Sequence, residues 1–216
     1  MDLMLEKEAI QLVEKILGTP TMDSVEDKKL LVERSGRIAL VLCVMTSTIK
    51  NQRICRSNYS VNDYLKEMDD QPIQYSDELN KLDLTYKKSL EKVVGFAVGK
   101  LNAFGGPIET IAVEIFDRLA YCSSDNWLTE DFVQNYFRDI CEEAKNLDMK
   151  LPIKPVDDVQ IIRLAIEKLS EFSLAQIGGN KLTVHRLVQA SRRLDLKGSF
   201  SNLDFHFFFA ECRLCF

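Results

Sequence analysis

The sequence predicts a mainly α-helical fold that carries one small β-hairpin near its C-terminal end. Apolar side chains recur at helical spacing in most segments between residues 4 and 169. Later, two short apolar runs flank the turn Gly178-Gly179-Asn180, and glycine and asparagine supply the positive φ angles of tight hairpin turns. Helical spacing resumes directly after the second run. A hairpin therefore passes into a helix with His185 at the joint.

The first part of the chain is expected to be helical. Residues 4–17 predict a helix that ends at Gly18, and residues 25–34 predict a charged, exposed helix. Residues 38–49 are apolar on nearly every side, which suits a fully buried element. Periodicity leaves helix and strand open for this run, and its length and helical neighbours favour a helix.

A polar region separates this part from the next. Residues 50–58 are expected to form a connector, after which Ser60 caps a short helix. The polar residues 69–84 contain Pro72 and are the best candidate for a domain boundary. The chain is thereby divided into a helical subdomain over residues 1–70, a linker over 71–84, and a second domain.

The second domain begins with two long helices. The first starts near Thr85 and ends at Phe104-Gly105-Gly106, and the second has Pro107 at a preferred first helical position. Thr129 is expected to cap a third helix that reaches Lys145, with Leu128 packing onto Val133 as a hydrophobic staple.

Another helix and the hairpin complete this domain. After a loop at residues 146–155, Asp157 is expected to cap a helix whose apolar face continues to Leu169. Three helices and then a two-stranded wing predict a winged-helix module over roughly residues 107–195, and with the preceding helix the winged-helix domain is taken as residues 85–195. Residues 196–216 are left as an atypical tail, for which disorder is one alternative.

Composition limits the function classes. The chain of 216 residues has 28 Lys and Arg against 33 Asp and Glu, so its net charge of −5 does not favour a phosphate-backbone partner. No basic-then-apolar order marks a signal peptide, and the longest uncharged apolar run is too short for a membrane span. Six scattered cysteines suggest reduced, mostly buried thiols. We expect a soluble, cytoplasmic protein.

Catalytic and metal-binding motifs are not found. Residues 95–101, Gly-Phe-Ala-Val-Gly-Lys-Leu, approach a phosphate-binding loop but have too few residues between the glycines, lack the hydroxyl, and lie in a predicted helix. Small glycines that allow close packing are the simpler interpretation. Cys212-x-x-Cys215 is at most half a zinc site. We therefore predict no catalytic residues and no metal.

His185 is the candidate binding residue. A histidine at the start of a helix lies beside free backbone amides and the positive end of the helix dipole, where it can donate to a phosphate oxygen. The alternative is a structural histidine bonded to a nearby carbonyl.

A family resemblance narrows this interpretation. Residues 182–190, Leu-Thr-Val-His-Arg-Leu-Val-Gln-Ala, resemble the hydrophobic-His-Arg-Leu-Val-Gln signature that ends the winged-helix domain of bacterial-type NB-ARC proteins. These are STAND-class signalling ATPases, commonly with tetratricopeptide repeats downstream. Segments 8–13, 36–42 and 59–65 are similar to the family's helical subdomain, in the same order. The resemblance covers about residues 3–195.

The resemblance implies a role for His185 and a larger assembly. In the family, this histidine contacts the β-phosphate of bound ADP and holds the closed, inactive state together. The family's proline that lies against adenine corresponds to Ala39. The family's phosphate loop and parallel sheet would precede Met1. The resemblance thus implies a regulatory and interaction fragment that has protein partners, no ATPase activity alone, and nucleotide binding that is weak or needs a separate nucleotide-binding domain.

Two other function classes were weighed. A winged-helix nucleic-acid-binding protein needs a basic reading helix, yet the helix predicted over residues 129–145 carries mostly acidic charges. A stand-alone enzyme needs a coherent set of acid, base, nucleophile or metal ligands, which the sequence does not offer.

Overall fold

The computed structural model describes residues 3–18, 22–70, 84–122, 128–129, 135, 159–178 and 181–197. It forms two compact units, Met1–Lys100 and Leu101–Phe216. The elements of the described residues are α1 (Glu6–Leu17), α2 (Val25–Arg34), α3 (Ala39–Cys55), α4 (Val61–Asp69), α5 (Leu84–Ala103), α6 (Pro107–Leu119), β1 (Leu128–Thr129), α7 (Val159–Glu171), β2 (Gln176–Gly178), β3 (Lys181–Thr183) and α8 (Arg186–Lys197). The predicted mainly helical fold with a small sheet is confirmed.

Helix α3 is the centre of the first unit and is longer than predicted. The run at 38–49 is helical, but the helix continues through residues expected to form a connector and ends at Cys55. Asn51 and Gln52 in this extension are buried. The Asn51 side-chain amide donates to the Ser47 carbonyl at 2.9 Å, so a polar residue can occupy the interior without losing its hydrogen bonds.

Helix α2 has the predicted bounds but is not exposed on all sides. Its Leu31 and Val32 are buried, and so is Lys28. The Lys28 ammonium group lies 2.9 Å from a Glu14 carboxylate oxygen on α1. Pairing allows this lysine to be buried beside the apolar residues of the same face.

Hydrogen bonds at the ends of the helices explain where several of them start. Ser60 caps α4 as predicted, because its hydroxyl accepts from the Asp63 amide at 3.1 Å. Ser24 caps α2 in the same way, with the Asp27 amide 3.0 Å away. Helix α1 ends at Gly18, whose φ of 81° favours glycine.

A buried carboxylate ties three segments of the first unit together. Asp23 accepts from the Val61 amide at 3.0 Å and from the Arg53 guanidinium at 2.5 Å. It therefore holds the entry to α2 against the end of α3 and the start of α4. In the same unit, the ring of Tyr64 contacts the ring of Phe96 edge-on, with the ring centroids 5.1 Å apart.

The second unit combines helices with a small antiparallel sheet. Pro107 begins α6 as predicted, and α6 packs along α7. In the sheet β3 is central, with β2 on one side and β1 on the other. The pairs Ile177↔Leu182 and Leu128↔Leu182 define the two registers. The predicted hairpin between β2 and β3 is thus confirmed.

Strand β1 is an element that the sequence does not predict. The structure pairs Leu128 and Thr129 with β3, and the helix that these residues are predicted to staple and cap lies outside the described residues apart from residue 135, which is helical. A strand of two residues has no alternation from which it could be recognised, and its pairing depends on residues more than fifty positions away.

Several predictions concern residues outside the described ranges. These include most of the linker at 71–84, the loop at 146–155, the cap at Asp157 and nearly all of the tail. Of the helix predicted over residues 129–145, only residues 129 and 135 are described. Within the described ranges, no helix has both the length and the apolar character needed to cross a membrane.

Candidate functional site

His185 lies between β3 and α8, where it begins the helix. The Leu187 amide donates to Nδ1 of the imidazole at 3.2 Å, and the Gln189 amide donates to the His185 carbonyl at 3.0 Å. The imidazole thus takes the place of the serine or aspartate that usually caps a helix. The sequence-derived alternative of a bond to a carbonyl was wrong in its partner, because the ring accepts from an amide.

This capping bond selects one tautomer of the imidazole. A ring nitrogen that accepts a hydrogen bond carries no proton, so the proton of a neutral ring must be on Nε2. His185 is exposed, and Nε2–H can donate to a molecule outside the protein. The cap and an external contact use different nitrogen atoms and are compatible.

The protonation state agrees with this geometry. Burial of part of the ring lowers the pKa of His185 below its ordinary value, and the neighbouring Arg186 guanidinium lowers the pKa further. The neutral form is therefore favoured near neutral pH. A neutral ring is also the form that can accept from the Leu187 amide.

The first turn of α8 carries a positive side chain and no negative one. Arg186 is the first residue of the helix, and no acidic residue occupies the first turn. Arg186 is exposed. A cation at a helix N-terminus opposes the helix dipole, whereas an anion bound at this end would be favoured by both the dipole and Arg186.

Gln189 holds this helix against the end of α6. Its side-chain amide nitrogen lies 2.8 Å from the Leu119 carbonyl oxygen and 3.2 Å from that of Cys122, and the residue is 3% exposed. Carbonyl groups at the end of a helix lack partners within the helix. The Leu119 carbonyl also accepts from the Cys122 amide at 3.2 Å, so the Gln189 side chain adds a second donor there and bonds to the chain that follows α6 through the Cys122 carbonyl.

Two arginines strengthen the same contact. The Arg192 guanidinium forms a two-point bond to the Asp117 carboxylate, with distances of 2.6 and 3.1 Å. Burial raises the pKa of Asp117, and the Arg192 guanidinium opposes this shift. Arg193 donates to the Ala120 carbonyl at 2.6 Å. Helix α8 is consequently fixed along its second turn to α6 and to the residue that follows it.

Sequence reasoning identified His185 but not its supporting residues. Gln189 lies within the quoted signature, although nothing in a sequence shows what its side chain contacts. Asp117 is separated from Arg192 by 75 residues, and a charged residue in a helix is ordinarily exposed. Only the packing of α8 against α6 reveals the pair.

The segment that approaches a phosphate-binding loop does not have the closely packed glycine at position 99 that the sequence predicts. Residues 95–101 lie within α5, as predicted, but Gly99 is exposed and a Cβ atom built on it meets nothing within 4 Å. Close packing therefore does not require this glycine. Within the described ranges, no three His, Cys, Asp or Glu side chains are grouped as metal ligands would be.

The remaining candidate residues belong to other segments of the chain. Ala39 is the first residue of α3 and belongs to the first unit. Cys43 is partly buried, Cys55 is exposed and Cys122 is buried, and all three are free thiols. Cys212, Cys215 and His206 lie outside the described residues.

Comparison with known proteins gives no independent identification: no protein-family model matches the chain, and no curated protein matches it.

Proposed function

We propose that this chain is the regulatory part of a STAND-class (NB-ARC) nucleotide switch, made of a helical subdomain and an ADP-sensing winged helix. The observation that carries the proposal is the state of His185. Its Nδ1 accepts from the Leu187 amide, so the Nε2–H group of this exposed residue is the donor that remains, at a helix start whose first residue is Arg186. That donor is suited to a phosphate oxygen.

The order of elements in the second unit supports a winged helix. Helix α6 is followed by β1, then α7, the β2–β3 hairpin and α8. The first strand returns to pair with the last strand of the hairpin. A helix, a short strand, further helices and a terminal hairpin are the components expected of a winged-helix domain.

The position of Ala39 also supports the resemblance. The family has a proline at the corresponding position, and Ala39 is the first residue of α3. Proline is favoured at the first position of a helix because its missing N–H would have no partner there. Ile38 has φ −98° and ψ 118°, the extended conformation that a following proline requires. The backbone here would accept the family's residue.

The 216 residues contain no Gly-x-x-x-x-Gly-Lys-Ser/Thr sequence. The proposal therefore assigns phosphate binding and hydrolysis to a separate nucleotide-binding domain, and it assigns to this chain a contact that differs between nucleotide states. A switch of this kind changes the populations of closed and open forms. Its partners would be proteins, in the cytoplasm.

Calorimetric titration with ADP and an assay of ATP turnover test this assignment. One or two hydrogen bonds contribute about 1–3 kcal/mol, so the chain alone should bind ADP more weakly than about 1 mM and should release no phosphate from ATP. Any residual binding should disappear in H185D. Submillimolar binding by the chain, or turnover, would contradict the division of roles.

A winged-helix nucleic-acid-binding protein is the second candidate, and the charges of α7 do not favour it. This helix directly precedes the hairpin, and on its outer side Arg163 pairs with Glu167 and Lys168 with Glu171. Paired charges attract phosphates weakly. Salt-dependent binding of duplex DNA in a gel-shift assay would favour this candidate over the nucleotide switch.

A further inference from the structure

We infer that Gln189 is a positioning residue that fixes the imidazole of His185 for phosphate contact by tying the first turn of α8 to the end of α6. The inference rests on the proposed function for its biological meaning. The physical link between Gln189 and His185 can be measured without any nucleotide.

The two ends of Gln189 act on different parts of the molecule. Its backbone amide donates to the His185 carbonyl at 3.0 Å, while its side chain donates to the carbonyls of Leu119 and Cys122. A single buried residue thus joins the backbone of the candidate sensor to the end of α6.

The cap of His185 is sensitive to small displacements. The distance of 3.2 Å from the Leu187 amide to Nδ1 is at the long end of the range for such hydrogen bonds. A shift of a few tenths of an ångström in the first turn would break it. The ring would then be free to rotate and to exchange its tautomer, and Nε2–H would no longer have a fixed direction.

Arg192 and Arg193 hold the second turn of the same helix. Their partners are Asp117 and the Ala120 carbonyl, so α8 should remain attached to α6 when Gln189 is changed. This separation makes the inference testable: loss of the Gln189 side-chain bonds should loosen the first turn without detaching the helix.

The test compares Q189M with wild type by NMR. Q189M keeps the length of the side chain but removes its donors. We expect the Leu187 amide to exchange with solvent several-fold faster. We also expect the pKa of His185 to rise, because only the neutral ring can accept the bond from the Leu187 amide to Nδ1, and loss of that bond removes one cause that favours the neutral form. The NMR signals of the His185 imidazole nitrogens are identified as the signals that are missing from the spectrum of H185N.

The control is I162V, which removes one methyl group from the buried face of α7 and should cost about 0.5–1.5 kcal/mol. It should leave the pKa of His185 unchanged. If Q189M does not fold, Q189N, whose shorter amide cannot reach both carbonyls, replaces it. If the pKa of His185 in Q189M, or in Q189N where that variant replaces it, equals the pKa in the wild type, the inference is overturned. An altered pKa in the variant together with submillimolar ADP binding or ATP turnover by the wild-type chain would instead overturn only the proposed function.

Discussion

At the scale of single residues, His185 has two roles that substitutions can separate. As the cap of α8 it accepts from the Leu187 amide, and as the candidate sensor it donates from Nε2. Alanine removes both roles. Aspartate caps a helix well and adds a favourable negative charge at its N-terminus, but it repels phosphate. The capping role therefore predicts that the aspartate variant is more stable than the alanine variant, whereas the sensing role predicts that both variants lose the phosphate contact.

We predict that H185A lowers the free energy of unfolding by about 0.5–2 kcal/mol, whereas H185D leaves it unchanged or raises it. Urea denaturation near neutral pH measures both. Equal destabilisation by the two substitutions would show that the imidazole stabilises the protein through packing and not through the cap.

The same residue should make stability depend on pH. Because the folded state lowers the pKa of His185, the unfolded chain takes up the proton first as pH falls. The stabilisation is complete above the ordinary value of 6.5 and is lost as pH falls through the folded-state pKa. H185N should reduce this pH dependence in urea denaturation, and H206N serves as the comparison. An unchanged slope in H185N would exclude a depressed pKa.

Gly99 offers a test of a position that the sequence analysis assigned to close packing. Glycine inside a helix is less stable than alanine by about 0.5–1 kcal/mol, and a Cβ atom at Gly99 meets no neighbour. We predict that G99A raises the free energy of unfolding by this amount, as measured by thermal or urea denaturation.

The control for this substitution is G36A. Gly36 has a φ of 62°, and an alanine forced into that conformation should destabilise the protein by about 1–2 kcal/mol. If G99A were also destabilising, the exposed face of α5 would have a partner that the described residues do not include.

At the scale of elements, the sequence predicted most helices because their apolar faces repeat regularly. It failed where tertiary contacts decide. Helix α3 continues past residue 49 because Asn51 finds a partner in the Ser47 carbonyl and Arg53 bonds to Asp23. The consecutive polar residues at 50–58 predict a connector, because the sequence does not show that Asn51 and Arg53 have partners in the folded chain.

Helix α3 also provides a prediction about the family resemblance. A39P should be tolerated and should raise the free energy of unfolding by between zero and about 1 kcal/mol, because the first helical position suits proline. Thermal denaturation provides the measurement.

A matched control in the same helix is K50P. Lys50 is exposed but lies in the interior of α3, where proline removes a hydrogen bond and costs about 3 kcal/mol or more. If A39P were as damaging as K50P, the correspondence of Ala39 with the family's proline would be wrong.

At the scale of the whole molecule, the proposed function depends on one joint and its support. The hairpin and His185 were visible in the sequence, because glycine turns and changes of spacing are local signals. The attachment of α8 to α6 was not, since Asp117 and Arg192 meet only in the folded chain. Local patterns therefore identified the candidate sensor, and long-range packing identified what holds it in place.

The measurement that tests the central claim most directly is NMR of the His185 imidazole during addition of ADP, adenosine or sodium chloride at matched ionic strength. The account predicts that ADP at tens of millimolar, a concentration suited to the weak binding expected of the chain alone, shifts the Nε2 resonance while the Nδ1 resonance stays that of an unprotonated acceptor. It also predicts that adenosine, which has no phosphate, has no effect. Identical responses to ADP and to sodium chloride would contradict the claim that His185 senses a nucleotide phosphate.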